Sequence, residues 1–205
     1  MDKPGYFDRA RKDDWAHKPY TEEEHEKLDR FMDAAGVWTG QRVLEPGCGT
    51  GRFTQKLARR VGEFGQVVAL DPSEGMIEEC RRRAGGMANV KILHMPVEET
   101  AFPPGTFDTI FCLCVFPHFD DKPKVLSLFH EVLASSGRLA LAHLEGSRIL
   151  NKMHRKVGGP VKGDRIPPYS EMERLLHEAG FRIDHFRDED DGYLLIAGLD
   201  RTLGA

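Results

Sequence analysis

Residues 43–51 of the chain read VLEPGCGTG, and this stretch decides the fold. It predicts a buried strand that ends in an acid, Glu45, and then passes through three alternate glycines into a helix. Gly47, Gly49 and Gly51 tolerate positive φ angles and let a ligand approach the backbone closely. The unpaired N–H groups at the start of the next helix suit a carboxylate. The alternative is a tight turn that binds nothing, which is less favourable because three glycines lower strand and helix stability.

Strands and amphipathic helices alternate on either side of this stretch. Five apolar or β-branched segments predict strands, namely Arg42–Glu45, Val67–Asp71, Lys91–His94, Phe107–Cys114 and Arg138–His143. Apolar residues at helical spacing separate them, in the sets Phe53/Leu57/Val61, Met76/Ile77/Cys80/Ala84 and Val125/Leu126/Phe129/Leu133. This alternation predicts βαβ units and a parallel sheet.

The C-terminal part predicts one more helix and two strands. A helix is expected over Ser170–Ala179, where Ser170 followed by Glu173 forms a capping signature. The strands Phe181–Arg187 and Tyr193–Gly198 have no helix between them, so they should form an antiparallel hairpin at one sheet edge. The predicted fold is α/β, a doubly wound and mostly parallel seven-stranded sheet with an antiparallel final strand.

Two stretches lie outside the alternation, residues 1–38 and residues 144–168. The first carries Tyr6, Trp15 and Tyr20 ahead of a helix capped by Thr21, and the second is rich in glycine, proline and basic residues and contains His154. Ligands of open α/β sheets bind beyond the carboxyl ends of the strands. We therefore expect an N-terminal cap segment and an insertion that act as a substrate lid on one domain spanning 1–205.

Composition narrows the class of protein. With 205 residues, 40% hydrophobic and 30% charged, the chain has the balance of one globular domain. Its net charge of −4 gives no general attraction to a phosphate backbone, which disfavours nucleic acid as a partner. The N-terminus lacks the apolar region of a signal peptide, which predicts a cytoplasmic protein whose four cysteines are free thiols. No apolar run reaches the roughly 20 residues that cross a bilayer, so no membrane partner is expected. The oligomeric state stays open.

The run LEPGCGTG resembles the first motif of the class I S-adenosylmethionine-dependent methyltransferases, an acid followed by Gly-x-Gly-x-Gly after the first strand. The resemblance covers about residues 37–146. It implies that Gly47, Cys48, Gly49 and Gly51 wrap the methionine part of S-adenosyl-L-methionine. It also implies that Glu45 organises the site near the amino group, and that S-adenosyl-L-homocysteine is the product.

Asp71 ends the predicted second strand, twenty residues after the glycine run. A carboxylate at this place can accept two hydrogen bonds from vicinal ribose hydroxyls, whereas the alternative is a helix cap. Pro72 follows it. Met76 is placed to pack on the adenine, although a methionine on an amphipathic helix is more often part of a core.

Residues 94–112, HMPVEETAFPPGTFDTIFC, resemble the next motif of that family. Phe107 and Asp108 match the Phe-Asp pair that opens the fourth strand. The aspartate expected to face the adenine amino group is absent, because Pro96 stands in its place. Adenine recognition is then expected from the Val97 backbone and from Glu98.

Residues 114–120, CVFPHFD, follow the predicted fourth strand and resemble a stretch of small-molecule methyltransferases. Cys114 is a further cofactor-binding candidate. His118, and His143 at the end of the fifth strand, are the candidate catalytic residues, since a neutral imidazole could accept a proton from the acceptor. The alternative for His118 is a packing or capping role. The run lacks the Asn/Asp-Pro-Pro-Tyr/Phe motif of base-modifying methyltransferases.

A metal site at the polar residues His143, His154 and Asp164 is not favoured by the sequence. His143, His154 and Asp164 could meet on one rim, yet nine histidines make chance clustering easy, so no metal is predicted. Cys112 and Cys114 lie two apart on the predicted fourth strand and are interpreted as buried packing residues on the same side.

The predicted function is transfer of a methyl group from S-adenosylmethionine to a small-molecule acceptor. One alternative is a nicotinamide-dependent oxidoreductase, but its Gly-x-Gly-x-x-Gly fingerprint would need a glycine where Arg52 stands. Another is a non-catalytic module that binds the cofactor. Hydroxyl, amine, thiol and carbon acceptors all remain open at this point.

Overall fold

The computed structural model describes residues 2–201, and the chain divides into two compact units, residues 1–101 and 102–205. The first unit contains five helices among its described residues, α1 (Lys3–Ala10), α2 (Asp14–His17), α3 (Glu22–Ala35), α4 (Arg52–Val61) and α5 (Glu74–Ala84). Its strands are β1 (Arg42–Pro46), β2 (Gln66–Asp71) and β3 (Val90–His94), and a 3-10 turn follows at Val97–Glu99.

Within residues 102–201, the second unit contains the other four strands and three further helices. In chain order they are β4 (Phe107–Leu113), α6 (Lys122–Val132), β5 (Leu133–His143), α7 (Ser147–Val157), α8 (Tyr169–Glu178), β6 (Phe181–Glu189) and β7 (Gly192–Leu199). Short 3-10 turns lie at Phe116–His118 and Gly159–Val161. The prediction of a single domain over 1–205 stays a prediction.

The seven strands form one sheet in the order β3-β2-β1-β4-β5-β7-β6. β1 and β3 pair in parallel with β2, and β4 pairs in parallel with β5. β7 is antiparallel to both β5 and β6. The predicted doubly wound sheet and its closing antiparallel hairpin are confirmed.

The predicted helical spacing of α4 is also confirmed. Phe53, Leu57 and Val61 are buried, and α4 packs on β1 and β2. The opposite face of α4 carries basic side chains, so the helix divides into an apolar and a cationic side. Such an apolar stripe is what fixes a helix to a sheet.

The segment 144–168 is more ordered than its glycine and proline content predicts. It contains the helix α7, in which Leu150 and His154 are buried at i and i+4. The helix ends at Gly158, whose φ of +72° favours glycine. The sequence interpretation missed α7, although Ile149, Leu150, Met153 and Val157 recur at helical spacing along it.

Two predicted boundaries are wrong. Ser170 does not cap α8, since the helix begins at Tyr169, Pro168 is the N-cap residue and no side-chain cap bond is present there. Leu133, assigned to a helix from its spacing, is the first residue of β5. By contrast, the predicted capping box of α3 is present, with Thr21 and Glu24 each bonding the other's backbone N–H.

None of the helices within residues 2–201 is long and apolar enough to cross a membrane.

We predict that Thr21→Ala lowers the free energy of unfolding by about 1 kcal/mol, the usual cost of losing an N-cap side chain. Urea unfolding followed by circular dichroism measures the change. Ser170→Ala is the matched control, because Ser170 forms no cap, and it should leave the unfolding midpoint nearly unchanged. Equal losses in the two variants would contradict the assignment of the caps.

Candidate functional site

The glycine loop after β1 has the backbone that its sequence predicts. Gly47, Gly49 and Gly51 all have positive φ angles, of 66°, 53° and 80°. A β-carbon at Gly51 would lie 2.8 Å from the Cys80 sulfur and 2.9 Å from the Cys80 Cα, so only glycine fits against α5. The loop is therefore held open by conformation and by close packing together.

Asp71, at the end of β2, is tied to this loop. Its Oδ2 accepts a hydrogen bond from the Gly49 N–H at 3.0 Å, and its Oδ1 accepts one from the Ser73 N–H at 2.9 Å. Each carboxylate oxygen keeps a second lone pair for a ligand hydroxyl. Burial raises the pKa of Asp71 to about 6, although the two backbone bonds act in the opposite direction.

Glu45, at the end of β1, is almost completely buried, with 2% of its surface exposed. Its Oε2 has no hydrogen-bond partner among the described residues. Burial raises the pKa of Glu45 well above its usual range, while a hydrogen bond with Thr54 lowers it. A buried polar oxygen without a partner is costly, so Glu45 is suited to meet a donor on a ligand.

The other predicted cofactor residues of the first unit surround the loop or follow the strands. Met76 is buried, and its sulfur lies 4.0 Å from the place where a Gly49 β-carbon would be. The Cys48 and Cys80 sulfurs are 3.8 Å apart, and both are free thiols, as are Cys112 and Cys114. The prediction of free cysteines is confirmed.

The remaining three predicted cofactor-binding residues, Pro72, Val97 and Glu98, lie after β2 and β3. Pro72 is exposed and its carbonyl oxygen is 3.2 Å from the His94 Nε2. Val97 is buried at the start of the 3-10 turn, and Glu98 is half-buried beside it.

The N-terminal segment lies against the residues that follow Asp71. The Asp8 Oδ1 accepts hydrogen bonds from the Ser73 hydroxyl at 2.6 Å and from the Gly75 N–H at 2.9 Å. Asp8 therefore caps the start of α5, where the helix dipole favours a negative charge. These bonds lower the pKa of Asp8, chiefly through Ser73.

Further contacts hold residues 15–20 to the start of α4. The Thr50 hydroxyl donates to the Ala16 carbonyl at 2.5 Å, and Arg52 donates to the carbonyls of Trp15 and Lys18. The Arg52 guanidinium lies 4.2 Å from the centre of the Tyr20 ring. Residues 15–20 are thus bonded to Thr50 of the glycine loop and to Arg52 at the start of α4.

The three aromatic residues predicted to form part of a lid differ in their contacts and in their exposure. Tyr6 packs edge-on against Phe7, Tyr20 packs edge-on against His25, and Trp15 is 54% exposed. Their part in a moving lid stays a prediction.

In the second unit, His118 and Asp164 form a close pair. The His118 Nδ1 is 2.7 Å from the Asp164 Oδ2, and Asp164 is buried. The His154 Nδ1 is 2.9 Å from the Asp164 backbone carbonyl, and the rings of His118 and His154 are 5.1 Å apart. The segment 144–168 therefore supplies the carboxylate next to His118. Buried His154 contacts the backbone of the same residue, Asp164.

His143 and Tyr193 face each other in the register of β5 and β7. Both are buried, their ring centres are 6.1 Å apart, and neither the two His143 nitrogens nor the Tyr193 hydroxyl has a partner within residues 2–201. Burial lowers the pKa of His143 to about 3, with smaller contributions from His118 and His154. His143 is therefore a neutral imidazole at physiological pH.

The prediction that Cys112 and Cys114 are both buried on the fourth strand is wrong. β4 ends at Leu113, and Cys114 lies beyond it with a φ of +56° and an exposed side chain, whereas Cys112 is buried. The two cysteines are not buried together on one side of a strand. The left-handed backbone at Cys114 marks a sharp turn into the 3-10 helix that carries His118.

Within the described part of the chain, no three His, Cys, Asp or Glu side chains are placed to hold one metal ion.

Comparisons with known proteins identify the family. A model of a methyltransferase domain matches residues 43–137. The ubiquinone/menaquinone biosynthesis C-methyltransferase UbiE of Haemophilus ducreyi is 31% identical over 183 residues, which cover 77% of this chain and 71% of that protein. The chain belongs to the class I S-adenosylmethionine-dependent methyltransferases.

One further relative and two solved structures are also similar to the chain, the structures in their fold. UbiE of Escherichia coli (strain K12 / DH10B) is 39% identical over 119 residues, 56% of this methyltransferase and 47% of UbiE, so the match spans about half of that protein. An S-adenosylmethionine-dependent methyltransferase from Aquifex aeolicus has the same fold, with a TM-score of 0.71, 23% identity and coverage of 96% and 98% of the two chains. The PH0226 protein from Pyrococcus horikoshii gives a TM-score of 0.73 at 19% identity, with 93% and 98% covered.

The predicted fold, enzyme class and methyl transfer are confirmed, and the nicotinamide-dependent alternative is dropped. The sequence interpretation missed Asp8 as a cap of α5, Tyr193 as a neighbour of His143, and Asp164 as the partner of His118. No sequence signal pointed to the first two. The sequence interpretation considers Asp164 only as a possible metal ligand.

We predict that Asp71→Ala weakens binding of S-adenosylhomocysteine by about 1.5–3 kcal/mol, the scale of losing hydrogen bonds to a charged group. Isothermal titration calorimetry measures the dissociation constant. Glu78→Ala, an exposed acid on α5, is the control and should leave the constant unchanged. An unaltered constant in a folded Asp71→Ala variant would remove Asp71 from the site.

Proposed function

We propose that this methyltransferase moves the methyl group of S-adenosylmethionine to a ring carbon of a small aromatic acceptor in quinone biosynthesis and releases S-adenosylhomocysteine. The names of the UbiE relatives support transfer to carbon and the quinone class of acceptor. The net charge of −4 is consistent with an acceptor other than nucleic acid.

The first unit fits the cofactor. Its glycine loop has no side chains where a ligand would approach the backbone, and Asp71 keeps acceptor capacity on both oxygens. The unpartnered Glu45 oxygen suits the cofactor's amino group. We assign the methionine part to Gly47, Cys48, Gly49 and Gly51, the ribose to Asp71, and the adenine to the surroundings of Met76 and Val97.

The bound cofactor supplies an electrophilic methyl carbon, whose C–S bond breaks as the bond to the acceptor forms. The protein has to place the acceptor in line, exclude water and increase the nucleophilicity of its ring carbon. Removing a proton from a ring hydroxyl increases the nucleophilicity of the ring carbon, because the oxyanion donates electron density into the ring. Overall one proton is released for each methyl group transferred.

The His118–Asp164 pair is the observation that carries this proposal. A carboxylate 2.7 Å from Nδ1 holds that nitrogen in its protonated form and leaves Nε2 to accept a proton. Asp164 then stabilises the imidazolium, as a buried carboxylate does in other His–Asp pairs. His118 is the base, Asp164 is its positioning residue, and His143 contributes a neutral polar surface.

Product analysis tests the proposed function. The protein is incubated with ¹³C-methyl-labelled S-adenosylmethionine and a naphthohydroquinone that has an unsubstituted ring position beside a hydroxyl. We predict a carbon-bound methyl group in the NMR spectrum of the product, and none from the analogue whose two hydroxyls are already methylated. A label found only on oxygen, or no transfer to any hydroxylated aromatic, would contradict the proposal.

We predict that His118→Asn lowers kcat by roughly 100-fold or more, the usual contribution of a general base, while the affinity for S-adenosylhomocysteine stays unchanged. Asp164→Asn should lower kcat less and change the pH profile of kcat, because the charge that supports the imidazolium is lost. His185→Asn, an exposed histidine on β6, is the matched control. Full activity of a folded His118→Asn variant would exclude His118 as the base.

A further inference from the structure

A second concave site lies in the first unit, between α3, α4 and the end of α5. It is a cleft of about 630 Å³, which is within the range of small-molecule sites. None of the residues assigned above to the cofactor lines it. The proposed methyl transfer therefore gives this cleft no role.

The cleft is strongly cationic, although the chain as a whole carries a net charge of −4. Five basic side chains line it, namely Arg52, Lys56, Arg59, Arg60 and Arg83. Asp29 is the one carboxylate among the lining residues. The four basic residues from α4 repeat at i, i+4, i+7 and i+8, so they share the face opposite the buried Ala58 and Val61.

Part of this charge is balanced within the protein. Asp29 pairs with Lys56 at 2.9 Å and with Arg60 at 3.2 Å, and Arg60 also binds Asp33. Arg52 and Arg83 instead donate to neutral carbonyl oxygens of the cap segment. The guanidinium charges at these two positions are therefore available to an anion.

Arg83 is the clearest sign of a ligand. Its Nη2 donates to the His17 carbonyl at 2.9 Å, but its Nε is buried and has no partner among residues 2–201. Burial lowers the pKa of Arg83, and the nearby charges of Arg82 and Arg52 act in the same direction. The Arg83 side chain is half-buried, and a guanidinium held beside like charges gains most from an oxyanion.

We propose that this cleft binds a small phosphate-bearing molecule, held by Arg52, Arg59 and Arg83. Planar guanidinium groups match the geometry of phosphate oxygens and bind them in pairs of hydrogen bonds. The cleft is larger than one phosphate group, and the Tyr20 ring on its wall offers a surface for the rest of the ligand. Because Arg52 and Arg83 also hold the cap segment, the bound molecule would be linked to the segment bonded to the glycine loop.

Calorimetric titration with pyrophosphate tests the site on the full chain, without S-adenosylmethionine or acceptor and at constant ionic strength. We expect saturable binding of one pyrophosphate per chain, weakened at least about tenfold by Arg83→Gln and by Arg59→Gln. Arg59 is exposed, so its variant keeps the fold even if Arg83→Gln loosens the cap. Arg174→Gln, an exposed arginine on α8, is the matched control and should bind normally.

Three results would overturn the proposal. They are the absence of saturable binding to the unaltered chain, an equal loss in Arg174→Gln, and binding of a single-stranded oligonucleotide in place of pyrophosphate. The second would indicate diffuse charge attraction, and the third a polyanion surface. The titration contains neither methyl donor nor acceptor, so its outcome is independent of the proposed function.

Discussion

The hydrogen bond from the Gly49 N–H to the Asp71 carboxylate is the contact on which the first unit's site depends. It joins the loop after β1 to the end of β2, so two neighbouring parallel strands present their carboxyl ends as one surface. The bond needs a positive φ at Gly49 and a buried carboxylate at position 71. Close packing of Gly51 on Cys80 fixes the same loop from the other side.

Polar groups left without partners mark both halves of the molecule. The Glu45 oxygen lies at the end of β1, and His143 and Tyr193 lie side by side on β5 and β7. Burying these polar groups without a hydrogen bond costs free energy, and a hydrogen bond to a ligand would offset that cost. Their burial also sets their protonation, because low polarity favours an uncharged imidazole at His143 and raises the pKa of Glu45.

The cap segment shows how a short, weakly apolar stretch is held in place. α1 buries little besides Ala10 and is held by Asp8 at the start of α5. Residues 15–18 are held by arginine bonds to their carbonyls. Such polar contacts are individually modest in free energy. A segment with few buried apolar contacts opens at a lower cost in free energy than one held by an apolar interface.

The sequence by itself determined the sheet, the glycine loop and the position of Asp71, because alternating strand and helix periodicity and the φ preference of glycine are local properties. It also placed His118 after β4. Only the tertiary structure decided that Asp164, 46 residues away, reaches His118, and that Tyr193 faces His143. These features depend on side chains brought together by the sheet order, and no spacing along the chain encodes such a meeting.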